Sequence, residues 1–217
     1  MPARTCLFML CVLVSSLQAN ANELQQLADA SRDIISEFSS HLKNALTDAI
    51  QEGGPVNAIA VCKTRAPEIA EALSREGWQI RRTSLKVRNP ANTPDEFERK
   101  VLEDFERRKN EGKDIRQLAY YKMKEVGEQS EFRYMTAIPT DELCLTCHGN
   151  TISEAVKTRL DQLYPGDQAR GFRTGDIRGA FSLKKIFRRE LQGEESIQPD
   201  NAPLPADETT GEVTNSP

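Results

Sequence analysis

Cys144-Leu145-Thr146-Cys147-His148 constrains this chain more than any other stretch, because it places two thiols and an imidazole within five residues. The spacing C-x-x-C-H is that of c-type haem attachment. Two thiols must reach two vinyl groups on one porphyrin edge, and an imidazole must reach the iron beside them. Residues three and four apart share one face of a helical turn, so the three side chains can serve one flat cofactor. A neutral imidazole ligates through one ring nitrogen while a hydrogen bond holds the other. Asp141, just before Glu142 and Leu143, is placed to cap that turn.

Two other chemistries use paired cysteines. A redox disulfide of the thioredoxin kind sits in a βαβ pattern, and none surrounds this motif. A structural zinc site is the stronger rival. Beyond residue 21 the chain has three cysteines, Cys62, Cys144 and Cys147, and two histidines, His41 and His148. That is enough for a Cys3His site. Against zinc, Cys62 stands far from the motif and has no close-spaced partner.

The first residues differ in kind from the rest. Arg4 gives a positive start, Cys6 to Leu17 form a short apolar run, and Ala19-Asn20-Ala21 has the A-x-A form of a cleavage site. Residues 1–21 therefore read as a cleaved signal peptide, with a run too short to span a bilayer comfortably. An uncleaved anchor is the alternative. Export and C-x-x-C-H support each other, since c-type haem is attached outside the bacterial cytoplasm; the expected location is the periplasm. With 38% hydrophobic and 29% charged residues, the chain reads as one polar globular domain over residues 22–191. A net charge of -4 gives no basic footprint for nucleic acid and hints at a basic protein partner. Residues 192–217, rich in acids and prolines and poor in large apolar side chains, read as a disordered acidic tail.

Residues 22–51 carry Leu24, Leu27, Ile34, Ile35, Phe38, Leu42, Leu46 and Ile50 at helical spacing, with Gly53-Gly54-Pro55 as the stop. His41 lies at the edge of that stripe, as a packing histidine or a residue within reach of a cofactor. Pro67 ends any helix through Cys62, and a further helix is expected over 68–76 with Gly77 as its cap. Cys62 reads either as a small core residue or as a ligand at the sixth iron position. Lys63 and Arg65 flank it and would favour its thiolate. Trp78 to Leu85 reads as a strand. Arg81, Arg82, Lys86 and Arg88 follow with no intervening acid, which makes Arg82, Lys86 and Arg88 candidates for binding haem propionates, or simply a solvated strand edge. Thr93, Pro94 and Glu96 have the form of a capping box opening a helix to about Lys109. Residues 117–126 are ambiguous between strand and helix. Residues 132–138 and 177–183 read as strands, and 153–163 as a helix. Met123 and Met135 are expected to fill core, with axial ligation as the alternative.

Several stretches resemble a known family, the PAS-like domains of exported proteins that carry one c-type haem with histidine and cysteine axial ligands. They are Ala60-Val61-Cys62-Lys63, Arg82-Thr83-Ser84-Leu85-Lys86 with Arg88-Asn89-Pro90-Ala91-Asn92, Cys144 to Gly149, and Gly175-Asp176-Ile177-Arg178-Gly179-Ala180-Phe181-Ser182. The resemblance implies an α+β fold, a PAS-like antiparallel sheet with flanking helices and a long N-terminal helix. It implies Cys62 as the distal ligand opposite His148, with Cys144 and Cys147 as thioethers. A thiolate ligand implies a low reduction potential. With both axial positions taken, the expectation is an electron carrier rather than an enzyme, with a redox or gas sensor as the alternative.

Overall fold

The structure is a computed structural model that describes residues 5–188, with side chains over 22–187. The leader expected over 1–21 lies outside the described side chains, and the tail over 192–217 lies outside the described residues. No helix among the described residues is long and apolar enough to cross a membrane.

Helix α1 spans Thr5–Lys63 and is broken once, where Gly53 and Gly54 leave helical geometry. Gly54 has φ of +72°, a left-handed conformation that glycine tolerates and side chains resist. The expected stop is therefore correct, but a second helical arm begins at once and carries Cys62. This short arm folds against the long one: Ala58 and Val61 pack with Ala49, Leu46 and Ile50, and the Asn57 side-chain amide donates to the Ala49 carbonyl at 3.2 Å. Helix α2 then runs Arg65–Leu73, earlier than the expected 68–76, with Ser74 as its C-cap in place of Gly77. Pro67 sits in its first turn, where a missing N–H leaves no bond unmade.

Strand β1, Trp78–Thr83, leads through a short 3-10 turn to helix α3, Glu96–Asn110. The cap of α3 is Asp95, which accepts from Glu98 N–H at 2.7 Å while the Glu98 carboxylate accepts from Asp95 N–H at 3.0 Å. Thr93, expected in that role, instead donates its hydroxyl to the Pro90 carbonyl and closes the preceding turn. Strands β2, Ala119–Val126, and β3, Gln129–Pro139, form a hairpin, which resolves the ambiguous segment as strand. Helices α4, Glu142–His148, and α5, Glu154–Leu163, precede strand β4, Ile177–Arg188.

The four strands make one antiparallel sheet in the order β1-β4-β3-β2. Alternation along β3 sends its side chains to opposite faces. Phe132 and Tyr134 join Leu27, Ile35, Phe38 and Leu183 beneath α1, while Met135 and Ala137 join Val101, Leu102 and Phe105 of α3. Full burial of a side chain such as Phe105 contributes about 1.5–3 kcal/mol. The fold is α+β: an antiparallel sheet flanked by helices, with a long N-terminal helix. The bend of α1, the start of β4, α4 and the C-terminal end of α5 meet beyond the edge of this core, around a cavity.

Candidate functional site

The cavity measures about 470 Å³. Its walls come from elements far apart in sequence. The long arm of α1 contributes Ile35, Leu42, Leu46 and Ile50, and the short arm contributes Ala58, Ile59 and Cys62. Helix α4 supplies Cys144, Cys147 and His148 from a single turn, so the motif's three functional side chains open onto the same space. Cys62, Cys144 and Cys147 are free thiols. Asp141 occupies the N-cap position of α4 as expected, but its side chain makes no capping hydrogen bond and reaches toward Arg116 at 3.5 Å.

His148 is held from both sides of its peptide. Phe172 N–H donates to the His148 carbonyl at 2.9 Å, and the Phe172 ring stands edge-on to the imidazole at 6.1 Å. Nδ1 lies 2.8 Å from the Ala169 carbonyl. A carbonyl can only accept, so Nδ1 carries the proton and Nε2 keeps its lone pair. Burial, then the nearby guanidiniums of Arg178 and Arg88, push this imidazole well below its usual pKa; the Ala169 bond and Asp167 oppose them only weakly. The ring is neutral, and its Nε2 accepts from Arg178 Nε at 3.4 Å with Arg88 Nη1 at 3.5 Å, so a metal at Nε2 would take the place of these contacts.

Arg88 locks the turn in place. Its side chain is 8% exposed, and it donates to Asp167 at 3.0 Å, to the Cys147 carbonyl at 2.6 Å and to the Ala169 carbonyl at 3.1 Å. Asp167 also accepts from Arg170 at 2.8 Å and from Ala169 N–H at 2.9 Å. Burial alone would raise the Asp167 carboxyl, but the bonds from Arg88, Arg170 and Ala169 outweigh it and hold the pKa low. Burial raises the Cys147 thiol, partly offset by Arg88. Tyr164, which shares the cavity wall with Cys62, is pushed up to about 12, first by burial and then by its electrostatic interaction with Cys62.

The expected propionate contacts separate. Arg82 lines the cavity, and Arg88 lines it while bonded as above. Lys86 is exposed, does not line the cavity, and holds its ammonium 5.0 Å above the Phe172 ring. The cations flanking Cys62 also point elsewhere, since Arg65 pairs with Glu68 and Lys63 lies over the Tyr164 ring at 5.9 Å. His41 is exposed and off the cavity wall. Met135 is fully buried in the α3 layer and Met123 packs at the edge of the α1 layer, so both fill core.

Three residues of the site escape a reading of the sequence. Arg178 lines the cavity and points its Nε at His148 Nε2 from 3.4 Å; its one signal is a charge within the otherwise small and apolar run at the start of β4. Asp167 reads only as a turn residue, and Tyr164 only as the residue preceding Pro165. Arg88 lies 79 positions from Asp167 and Ser84 lies 94 from Arg178, beyond any local pattern.

A flat ligand of porphyrin size suits this arrangement better than a small ion. Tetrahedral zinc draws four donors to within about 2.3 Å of one point. Among the described residues no three His, Cys, Asp or Glu side chains converge in that way. Instead, Cys62 and the motif stand on the walls of one largely apolar cavity.

An antiparallel sheet, a bent helix and a thiol-and-imidazole cavity between them define the class of domain. The chain belongs to the Tll0287-like family, whose model matches residues 13–185. Among solved structures it is similar to the crystal structure of the cyanobacterial haem-protein Tll0287, at 23% identity and a TM-score of 0.55. That match covers 78% of this chain and 98% of the other, and it shows the shared fold. No curated protein sequence matches the chain.

Proposed function

We propose that the cavity holds one haem, attached through Cys144 and Cys147 and ligated by His148 and Cys62, in an exported, cytochrome-like carrier of electrons at low potential. The observation that supports this most is the presence of the C-x-x-C-H turn and Cys62 on the walls of one apolar cavity. The description of Tll0287 as a haem-protein supports it as well. When bound, haem supplies one-electron chemistry between ferric and ferrous iron, and a thiolate ligand favours the ferric state.

The chain's own residues orient and protect. Ala169 fixes the tautomer of His148 and leaves Nε2 as the donor. Arg88 holds the Cys147 carbonyl and so sets the pitch of the turn that carries both thiols. The aliphatic side chains of α1 exclude water from the cavity, which keeps the local dielectric low. In this proposal residues 1–21 direct export to the periplasm, the sheet is PAS-like, no catalytic role is assigned, and a redox partner protein receives the electron.

The test is a pyridine haemochrome spectrum and an intact mass, after expression in a host that matures c-type haem. One covalent haem per mature chain is expected. A colourless protein carrying zinc overturns the proposal.

A second reading, a redox or gas sensor, is favoured by one feature: Cys62 rides on the short arm that follows the break at Gly53 and Gly54. Release of Cys62 on reduction would free that arm. Carbon monoxide separates the two readings. Rapid, complete binding to the reduced protein supports the sensor, and an unchanged spectrum supports the carrier.

A further inference from the structure

Arg82 and Arg178 stand out among the cations of the cavity because neither has a carboxylate. Among the described residues no acidic group comes within ion-pair distance of either guanidinium. Arg82 makes no side-chain hydrogen bond there either; its head lies 5.8 Å from the centre of the Phe38 ring. Arg178 donates to Ser84 Oγ at 3.1 Å and to His148 Nε2 at 3.4 Å and lies over the face of Phe172, all neutral partners. Arg88, by contrast, is bonded to Asp167 and two carbonyls.

Burial without a counter-charge is unfavourable for a guanidinium and is ordinarily relieved by pairing. Both side chains are partly buried on the cavity wall. Each guanidinium presents planar donors suited to two-point binding of a carboxylate. Two unmatched cations on one cavity wall call for a ligand with two carboxylates.

We propose that Arg82 and Arg178 together bind the two propionate carboxylates of the tetrapyrrole, while Arg88 and Lys86 do not. This rests on the haem reading above and assigns the orientation of the group: its acidic edge faces the junction of β1 and β4. Each arginine is then a binding residue that also raises the reduction potential, since a nearby cation favours the electron-rich ferrous state.

The test uses holoprotein matured with covalent haem, comparing Arg82→Leu, Arg178→Leu, their lysine counterparts and Lys86→Met with the parent. Two readouts are taken, the reduction potential and the propionate deformation bands in resonance Raman spectra. Each leucine variant is expected to lower the potential and shift those bands, by about tenfold in the redox equilibrium, or ~59 mV for one electron. The lysine variants should restore most of the potential, and Lys86→Met should change neither readout. Leucine variants with haem attached but with parental potentials and bands overturn the anchor while leaving the haem reading intact. Should a leucine variant fail to accumulate, its lysine counterpart carries the same test: shifted propionate bands support the anchor and unshifted bands oppose it. A parent protein without haem overturns the haem reading itself.

Discussion

The smallest scale of the site is the link from Asp167 through Arg88 to the turn that bears His148. Asp167 is 1% exposed and accepts from two arginines, so its loss strands Arg88 in a buried setting. Asp167→Ala is expected to cost about 3–5 kcal/mol in denaturant unfolding. The pH dependence has a definite sign. The Asp167 pKa is depressed in the folded state, so its stabilisation is complete above the ordinary aspartate value of about 3.9 and is lost as pH falls below it. Wild-type stability should therefore drop on acidification through that window, and the variant's acid limb should be shallower. At Cys62, substitution by alanine is expected to change the ferric absorption spectrum and open the iron to carbon monoxide. Identical spectra would remove Cys62 from the ligand set. The motif cysteines and His148 are legible in sequence because five consecutive residues contain the whole pattern. Arg178 and Asp167 are not, because the contacts that give them meaning, to His148 and Arg88, are made only once the chain has folded.

Among the elements, β4 is the most tightly constrained where it starts. A Cβ on Gly179 would lie 2.3 Å from the Thr83 carbonyl oxygen and 3.1 Å from Ser84 Cβ. Backbone cannot yield as a side chain does, so Gly179→Ala is expected to cost more than about 2 kcal/mol and to disturb the adjoining Arg178. A thermal or denaturant melt checks the first effect. At α3, removing the cap by Asp95→Ala should cost about 0.5–2 kcal/mol, while Thr93→Ala should cost less, since Thr93 closes only the preceding turn. This pair of variants also shows where sequence reading slipped. Thr93-Pro94 and Asp95 both have the form of a cap, and what separates them is the Thr93 hydroxyl's bond to Pro90 and the reciprocal bonds between Asp95 and Glu98. Strands β1, β3 and β4 and the long helix are legible from periodicity, which depends on neighbours in sequence, whereas the segment of β2 is not. The arm carrying Cys62 is harder to read, because a glycine pair can end a helix or merely bend it.

For the whole molecule, the apolar cavity ties stability to its occupant. Aliphatic walls from α1 gain their full contacts only when the space between them is filled. A chain with Cys144→Ser and Cys147→Ser, unable to form thioethers, is expected to melt at least about 2–4 °C below the matured protein, the shift that corresponds to 1 kcal/mol at this size. Equal melting temperatures would show that the cavity contributes nothing to the stability of the fold.

The bend in α1 has a consequence of another sort. Helical residues follow one another at about 100° around the axis, so the angular phase of the thiol at Cys62 is counted from Pro55, where regular geometry resumes after Gly54. Inserting a single alanine between Gly54 and Cys62 would leave composition and charge almost untouched, yet rotate that sulfur away from the cavity and bring a neighbouring side chain round in its place. Number of residues, as much as their kind, decides whether this arm presents sulfur to the cavity.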